Sequence, residues 1–190
     1  MKRMFAAAIA SLLLLPAGTA LAGDLLDAAA NAEQLMKQGE FDKALAAVET
    51  AKDIVWQAAP MSFRKALFAA AEPQGVGIYD IKEGSTFKRK DPLIIYSEPV
   101  GYGYGRDGEL YVIDLALDFT VNGADGKVVA HQENFGNLTL RSRVPNKEFM
   151  AKVTYDFSGL AAGDYEVITK AKDKNSDKTA EFSLKFTLVE

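Results

Sequence analysis

The sequence has 190 residues, of which none is cysteine, one is histidine and one is tryptophan. Without cysteine there is no disulfide, no thiol nucleophile and no cysteine-ligated metal. A zinc site would depend almost wholly on carboxylates, because His131 is the single imidazole in the sequence. A serine–histidine–acid triad would need His131 as well, and no serine lies in a strained nucleophile motif. These absences favour a protein that is not an enzyme and that holds no cofactor or metal.

An excess of positive charge is also missing. Removing Lys2 and Arg3 from the 22 basic residues leaves 20 against 26 acidic residues, a formal charge of −6. This balance argues against a general affinity for nucleic acid or anionic lipid. Beyond the N-terminus, no segment approaches the ~20 apolar residues that a spanning helix needs, so we expect no membrane span.

The N-terminus has the features of a signal peptide. Residues 1–22 read MKRMFAAAIASLLLLPAGTALA, with a short basic start, an apolar run and a small-x-small site at Ala20–Ala22. The apolar run is too short to span a membrane comfortably. We therefore expect cleavage before Gly23, which leaves 168 of the 190 residues, and a periplasmic or secreted bacterial protein.

The rest of the sequence has two parts with different residue patterns, and the boundary between them lies near the Pro73–Gly75 break. Residues 23–72 are rich in alanine and predict a helical hairpin region of two to three helices. Helical spacing relates three sets of apolar residues, the third in a short helix over Met61–Ala71: Leu25, Ala28, Ala32, Leu35 and Met36; Phe41, Ala44, Leu45, Val48, Ala51 and Val55; Phe63, Ala66, Leu67 and Ala70.

The start of the second helix resembles a known repeat. Residues 39–45 read GEFDKAL, and Ala32 and Ala51 stand where a tetratricopeptide repeat also has small residues. The match covers residues 24–57, about one repeat, and no second copy follows at the ~34-residue period. Such repeats bind peptides in a groove made by several units. The resemblance therefore implies a hairpin that serves packing or docking.

Residues 73–190 alternate with a period of two. Apolar side chains occupy every second position over Tyr111–Val121, Phe149–Phe157 and Ala180–Leu188, with mostly polar residues between them. This alternation is typical of strands with one buried face, and proline, glycine and asparagine turns separate them. We expect about eight strands in an antiparallel β-sandwich, so the fold class is α+β by segment.

A second resemblance lies in residues 160–167, which read LAAGDYEV. They look like the corner before the penultimate strand of immunoglobulin-like and fibronectin-III-like domains. In those domains a tyrosine at this corner hydrogen-bonds to upstream backbone, and Tyr165 would be that residue here. The resemblance implies an immunoglobulin-like sandwich, although the cysteine pair and core tryptophan of antibody domains are absent.

The least usual segment of the sequence is the glycine–tyrosine stretch GYGYGRDG at 101–108. A two-residue turn at Asp107–Gly108, or a four-residue loop, places the tyrosines on the apolar face of the next strand, whereas a three-residue loop reverses the faces. Glycines in a strand often mark close approach by another element. We expect the helical hairpin or a partner chain against this strip. The candidate binding residues are Gly101, Tyr102, Gly103, Tyr104, Gly105 and Arg106.

These features predict a non-catalytic envelope binding or adaptor protein that acts through its sandwich surface and its hairpin. Its partner would be an envelope protein or glycan. The alternative is a carbohydrate-binding module that uses exposed aromatic rings, with Trp56, Tyr96, Tyr102 and Tyr104 as candidates. An enzyme built on carboxylates such as Asp114 and Asp118 is a third hypothesis, and it would need a cleft around the pair.

Overall fold

A computed structural model describes residues 18–190, with side chains from residue 23 onward. Most of the predicted signal peptide, residues 1–17, lies outside the described residues. Two helices and then a β-rich chain confirm the expected order of segments. The elements are α1 Gly18–Lys37, α2 Phe41–Ala58, β1 Ser62–Phe68, β2 Thr86–Lys88, β3 Leu93–Val100, β4 Gly105–Asp107, β5 Leu110–Gly123, β6 Val128–Ser142, β7 Ala151–Tyr155, β8 Gly163–Asp173 and β9 Thr179–Val189.

The chain divides into two compact units, the first ending at Val55 and the second running from Trp56 to Glu190. In the first unit α1 and α2 are joined by a short turn, where Gly39 has a φ of +76°. This unit buries small residues, Ala32, Ala44 and Ala47. The large apolar residues expected on the buried faces are exposed instead, as in Met36, Phe41, Leu45, Val48 and Val55. Neither helix, as far as the chain is described, is long and apolar enough to cross a membrane.

The third helix predicted over Met61–Ala71 is wrong, because β1 occupies residues 62–68. The pairing of β1 with β3 is irregular between Phe63 and Lys65, where a bulge adds one residue. Phe63 stands opposite Pro99 and Ala66 stands opposite Ser97, both on the inward side of β3. The bulge therefore turns a two-residue alternation into a three-residue step, which imitates helical spacing.

The strands form two sheets within the second unit. One has the order β1-β3-β7, and the other has the order β2-β9-β8-β5-β4, with β6 paired to β5 as well. About eight strands, all antiparallel, were expected in residues 73–190. That region contains the eight strands β2 to β9, and β1 precedes it, but β2 runs parallel to β9 over Thr86–Lys88. The other strand pairs are antiparallel.

The core lies between these sheets and uses the predicted inward positions. Ile113 and Leu115 of β5 and Val153 of β7 are buried, whereas Leu184 of β9 is partly buried. Tyr155 of the three-stranded sheet shares a 2.8 Å hydrogen bond with Thr169 of the six-stranded sheet. Each fully buried large apolar side chain contributes about 1.5–3 kcal/mol, so this core outweighs any local propensity.

The corner before β8 has the hydrogen bond that the immunoglobulin-like resemblance implied. The Tyr165 hydroxyl donates to the Ala161 carbonyl at 2.9 Å. The Tyr165 ring also stacks on Phe186, with 5.5 Å between centroids and 26° between planes. This bond fixes the chain where it enters β8.

Candidate functional site

The glycine–tyrosine stretch forms the strand β4 and the loop before it. Gly105 pairs with Val112 and Asp107 with Leu110, so the turn is Gly108–Glu109, one residue later than expected. This moves each cross-strand partner by two residues and keeps every side chain on its expected face. Tyr102 is buried and Tyr104 packs against the core, so the core-facing prediction for both tyrosines is confirmed.

Both tyrosines use their hydroxyls inside the protein. The Tyr102 and Tyr104 hydroxyls each donate to the Asn146 carbonyl at 2.9 Å. Trp56 packs edge-on against Tyr102, with 5.0 Å between ring centroids, and its indole N–H donates to the Tyr102 carbonyl at 2.8 Å. The polar groups with which Tyr102, Tyr104 and Trp56 could bind a ligand are therefore already hydrogen-bonded within the protein.

The glycine strip is covered by Pro60, which lies in the region 23–72 predicted as the helical hairpin, and by the β8–β9 turn, which was not expected there. A Cβ at Gly101 would lie 2.6 Å from the Pro60 carbonyl oxygen, and one at Gly105 would overlap Asn175 Oδ1. The Gly103 N–H donates to Asp173 Oδ2 at 2.6 Å. Gly101 is needed because the Pro60 backbone approaches it so closely, whereas the nearest atoms at Gly103 and Gly105 belong to side chains of Asp173, Asn175 and Ser176.

Lys178 completes this arrangement, which we call the clasp: Trp56, Pro60, residues 101–105, Asp173 and Lys178. The Lys178 ammonium donates to three carbonyls, those of Gln57 at 3.0 Å, Ala59 at 2.7 Å and Gly101 at 2.8 Å. Cations are favourable beside carbonyls at the C-terminal end of a helix such as α2. The clasp therefore joins residues 56–60, 101–105 and 173–178 through backbone groups.

Arg106, the last predicted binding residue, has an exposed guanidinium that lies over the Tyr111 ring at 3.5 Å from its centroid. Arg106 and Tyr111 are direct cross-strand neighbours, which explains the stacking. The six predicted residues thus lie together, but five of them are built into the clasp and one covers a ring.

Tyr96 belongs to a separate cluster on β3. Its ring stacks on Tyr79 at 4.0 Å, and its hydroxyl donates to the buried Glu98 carboxylate at 2.5 Å. Arg64 Nε donates to the same carboxylate at 2.7 Å. Burial, and then the hydrogen bond to Glu98, raise the pKa of Tyr96 to about 12. Burial alone would raise the pKa of Glu98, but the hydrogen bonds from Tyr96 and Arg64 outweigh it and hold that pKa below its usual value.

The carboxylates on β5 are engaged by lysines. Asp118 accepts from Lys172 at 2.8 Å and from the Asn134 N–H at 2.8 Å, while Asp114 contacts Lys174 at 3.2 Å. Burial alone would raise the pKa of Asp118, but Lys172 and the Asn134 N–H outweigh it and lower that pKa. Across residues 18–190, no three His, Asp or Glu side chains converge as a metal site.

An open cavity of about 510 Å³ lies at one end of the six-stranded sheet. Its floor includes the outward row Asn122, Glu166 and Lys185, which are cross-strand neighbours on β5, β8 and β9. The β5–β6 turn forms one wall, held by the Gly123 N–H to Lys127 carbonyl bond at 2.9 Å. The other lining residues are Ser85, Gly123, Ala124, Gly126, Asp164, Tyr165, Phe186 and Thr187. We call this feature the groove.

The groove offers opposite charges that are not used internally. Glu166 and Lys185 face each other across β8 and β9, yet neither forms an ion pair with any described side chain. The Asp164 carboxylate, by contrast, accepts from the Thr187 hydroxyl at 2.6 Å. A carboxylate, an ammonium and the Asn122 amide can hydrogen-bond a polar ligand from three strands. No sequence pattern indicates this row, because only the strand register brings its members together.

No protein-family model matches the chain, and a search of curated proteins finds no significant match. Among solved structures, the chain is similar to a superoxide reductase (neelaredoxin) from Ignicoccus hospitalis, with 11% identity and a TM-score of 0.34. The similarity covers 70% of this chain and 84% of that one. A likeness at this level supports no statement about this chain's fold or activity.

Proposed function

We propose that this chain is a non-catalytic binding or adaptor protein of the bacterial envelope, and that its groove receives a small polar group of the partner. The observation that supports this proposal is the side-by-side placement of Glu166 and Lys185, both without an internal ion pair, on the floor of a cavity. Unpaired opposite charges suit a zwitterionic group, whose cation would bind the Glu166 carboxylate and whose anion would bind the Lys185 ammonium.

The absence of catalysis is part of the same proposal. It is supported by the missing thiol and by His131, whose Nδ1 shares a 2.9 Å hydrogen bond with Thr120 on an exposed strand. It is also supported by Asp114 and Asp118, whose carboxylates contact lysines rather than an open cleft. A pair of glycosidase carboxylates would need free access to a sugar between them.

The finer assignments of fold and location are inferred in the same way. An immunoglobulin-like sandwich is supported by the two sheets and by the Tyr165 corner bond, while the parallel β2–β9 pair departs from that pattern. A single tetratricopeptide-like hairpin is supported by residues 39–45. Export to the periplasm or beyond is supported by residues 1–22, and N-terminal sequencing of the mature protein, with Gly23 first, tests it.

Calorimetric titration with a zwitterionic dipeptide tests the proposed site. We expect saturable binding that weakens about tenfold or more in Glu166→Gln and in Lys185→Met, because each removes one charge-assisted contact. Lys170 and Glu181 are also opposite charges that face each other on β8 and β9 outside the groove, with the acid on β9 instead of β8, so Lys170→Met and Glu181→Gln are matched controls. Absence of binding, or equal weakening in the controls, contradicts the proposal.

A carbohydrate ligand would now have to bind differently from the sequence-based expectation. Tyr96 and Tyr102 are fully buried, so their rings cannot stack on a sugar. A glycan would instead use the hydrogen-bonding groups of the groove. Soluble cell-wall saccharides that bind where dipeptides do not, and that bind Glu166→Gln as tightly as the wild type because glutamine keeps hydrogen-bonding groups, would favour the glycan alternative and contradict the zwitterion.

A further inference from the structure

The outermost strand β6 offers a second surface, separate from the groove floor. Its one strand neighbour in residues 18–190 is β5, so one side of this 15-residue strand has unpaired backbone N–H and C=O groups. Edges of this kind pair with further strands unless a bulge, a proline or a charge prevents it. The two halves of β6 differ in this respect.

The middle of β6 is blocked by a bulge. Gly136 pairs with Leu117 and Gln132 with Phe119, so three residues of β6 lie opposite one of β5. Asn134 lies in this interruption with a φ of +50°, and its N–H is held by Asp118 Oδ1 at 2.8 Å. A bulge twists the edge and ends regular pairing. Beyond it, residues 136–142 pair regularly with β5, contain no proline and carry one charge, that of Arg141, which forms an ion pair with Asp107 at 3.2 Å.

The stretch 136–142 is complementary to itself. Residues directly opposite in an antiparallel pair share a face, and Leu138 and Leu140 pack against the core. An added strand must therefore place apolar residues opposite these two. A second copy of β6 meets this requirement when the two copies pair antiparallel over all of residues 136–142, with Thr139 opposite Thr139 of the partner subunit. Leu138 then faces Leu140 of the partner subunit, Asn137 faces Arg141 of the partner subunit, and no like charges stand opposite each other.

We propose that this chain forms a two-fold dimer by antiparallel pairing of residues 136–142, centred on Thr139. Pairing satisfies the free edge and extends the apolar layer at Leu138 and Leu140, which are only partly buried in the single chain. A two-fold contact of one surface with itself is closed, so assembly stops at two copies. The bulge at Asn134 limits the contact to this stretch.

Sedimentation equilibrium of the purified chain tests the dimer. We expect twice the monomer mass for the wild type, and the monomer mass for Thr139→Lys and for Thr139→Glu separately, because each places like charges face to face at the two-fold axis. Thr139 is exposed and its hydroxyl donates to Asp114 at 3.3 Å, so Trp56 fluorescence and the urea midpoint are measured for each variant to verify that it is folded. Mixing the two variants restores the dimer, since Lys then faces Glu.

Thr179 is an exposed threonine on β9 and provides matched controls, Thr179→Lys and Thr179→Glu, which remain dimeric. A wild type that stays monomeric at millimolar concentration overturns the proposal. So does a dimer that survives both Thr139 variants, or a mixture of them that fails to reassociate. The groove variants at Glu166 and Lys185 leave the mass unchanged, so this test is independent of the proposed ligand site.

Discussion

Replacing Gly101 by alanine tests whether close approach explains the glycine strip. Gly101 has a φ of +76°, where alanine costs about 1–2 kcal/mol. Its new Cβ would lie 2.6 Å from the Pro60 carbonyl oxygen, an overlap that adds about 1–3 kcal/mol. Reduced freedom of the unfolded chain returns about 0.4–1 kcal/mol. We therefore expect Gly101→Ala to lower the free energy of unfolding by about 2–4 kcal/mol.

Gly126 provides the matched control for this substitution. It has the same φ of +76°, and no atom lies within 4 Å of a Cβ built there. Gly126→Ala should therefore cost about 1 kcal/mol, from backbone conformation alone. At about 2–4 °C per kcal/mol, the two variants should differ by several degrees in Tm.

Urea unfolding followed by the fluorescence of Trp56 measures both variants. Trp56 is the single tryptophan of the chain and packs against Tyr102, so its emission reports on the clasp itself. If Gly101→Ala and Gly126→Ala are destabilised equally, to within about 0.5 kcal/mol, the contact with Pro60 carries no energy. The explanation of the glycine strip would then be wrong.

Two further predictions concern the clasp and the buried tyrosines. Lys178→Met should lower the free energy of unfolding by about 2–3 kcal/mol and shift Trp56 emission to longer wavelength, because three carbonyls lose their donor. The control Lys174→Met loses only an exposed ion pair worth under about 1 kcal/mol. The raised pKa of Tyr96, about 12, contributes stability that is complete below pH ~10 and is lost as pH rises toward the folded value. The chain has seven tyrosines, so the absorbance titrations of Tyr96→Phe and of Tyr102→Phe at 295 nm are each subtracted from that of the wild type. Each difference should titrate only together with unfolding; a difference that titrates near pH 10 in the folded protein contradicts the burial of that tyrosine.

Alternation predicted the strands well because burial of one face is a local property of the sequence. Residues 111–121 carry their apolar side chains at odd positions, and β5 indeed directs Ile113, Leu115 and Leu117 into the core. The face of the tyrosines in the clasp was predictable for the same reason, since a shift of the turn by one residue moves partners by two. Alternation does not reveal which strands pair with each other, so the parallel β2–β9 pair was not predicted.

Two errors have a common physical cause, which is long-range contact that overrides local spacing. The bulge in β1 gives Phe63 and Ala66 a helical step, and only the pairing with β3 reveals a strand. In the hairpin, the alanines rather than Phe41 and Leu45 are buried. Helical spacing identified that α2 has an apolar face, but not which face lies at the interface between the helices.

The residues best placed to bind a ligand do not lie in the most unusual segment of the sequence, and packing explains this difference. Alternating glycine and tyrosine is conspicuous because close approach and aromatic packing permit few substitutes, as the 2.6 Å between a Cβ at Gly101 and the Pro60 carbonyl oxygen indicates. Glu166 and Lys185 are ordinary surface residues in the sequence. They become a candidate site only because β8 and β9 pair in one register and leave both charges unmatched beside a cavity. For a chain with this composition, unusual residues therefore indicate where the fold closes on itself, whereas binding has to be sought among common polar residues that the register assembles.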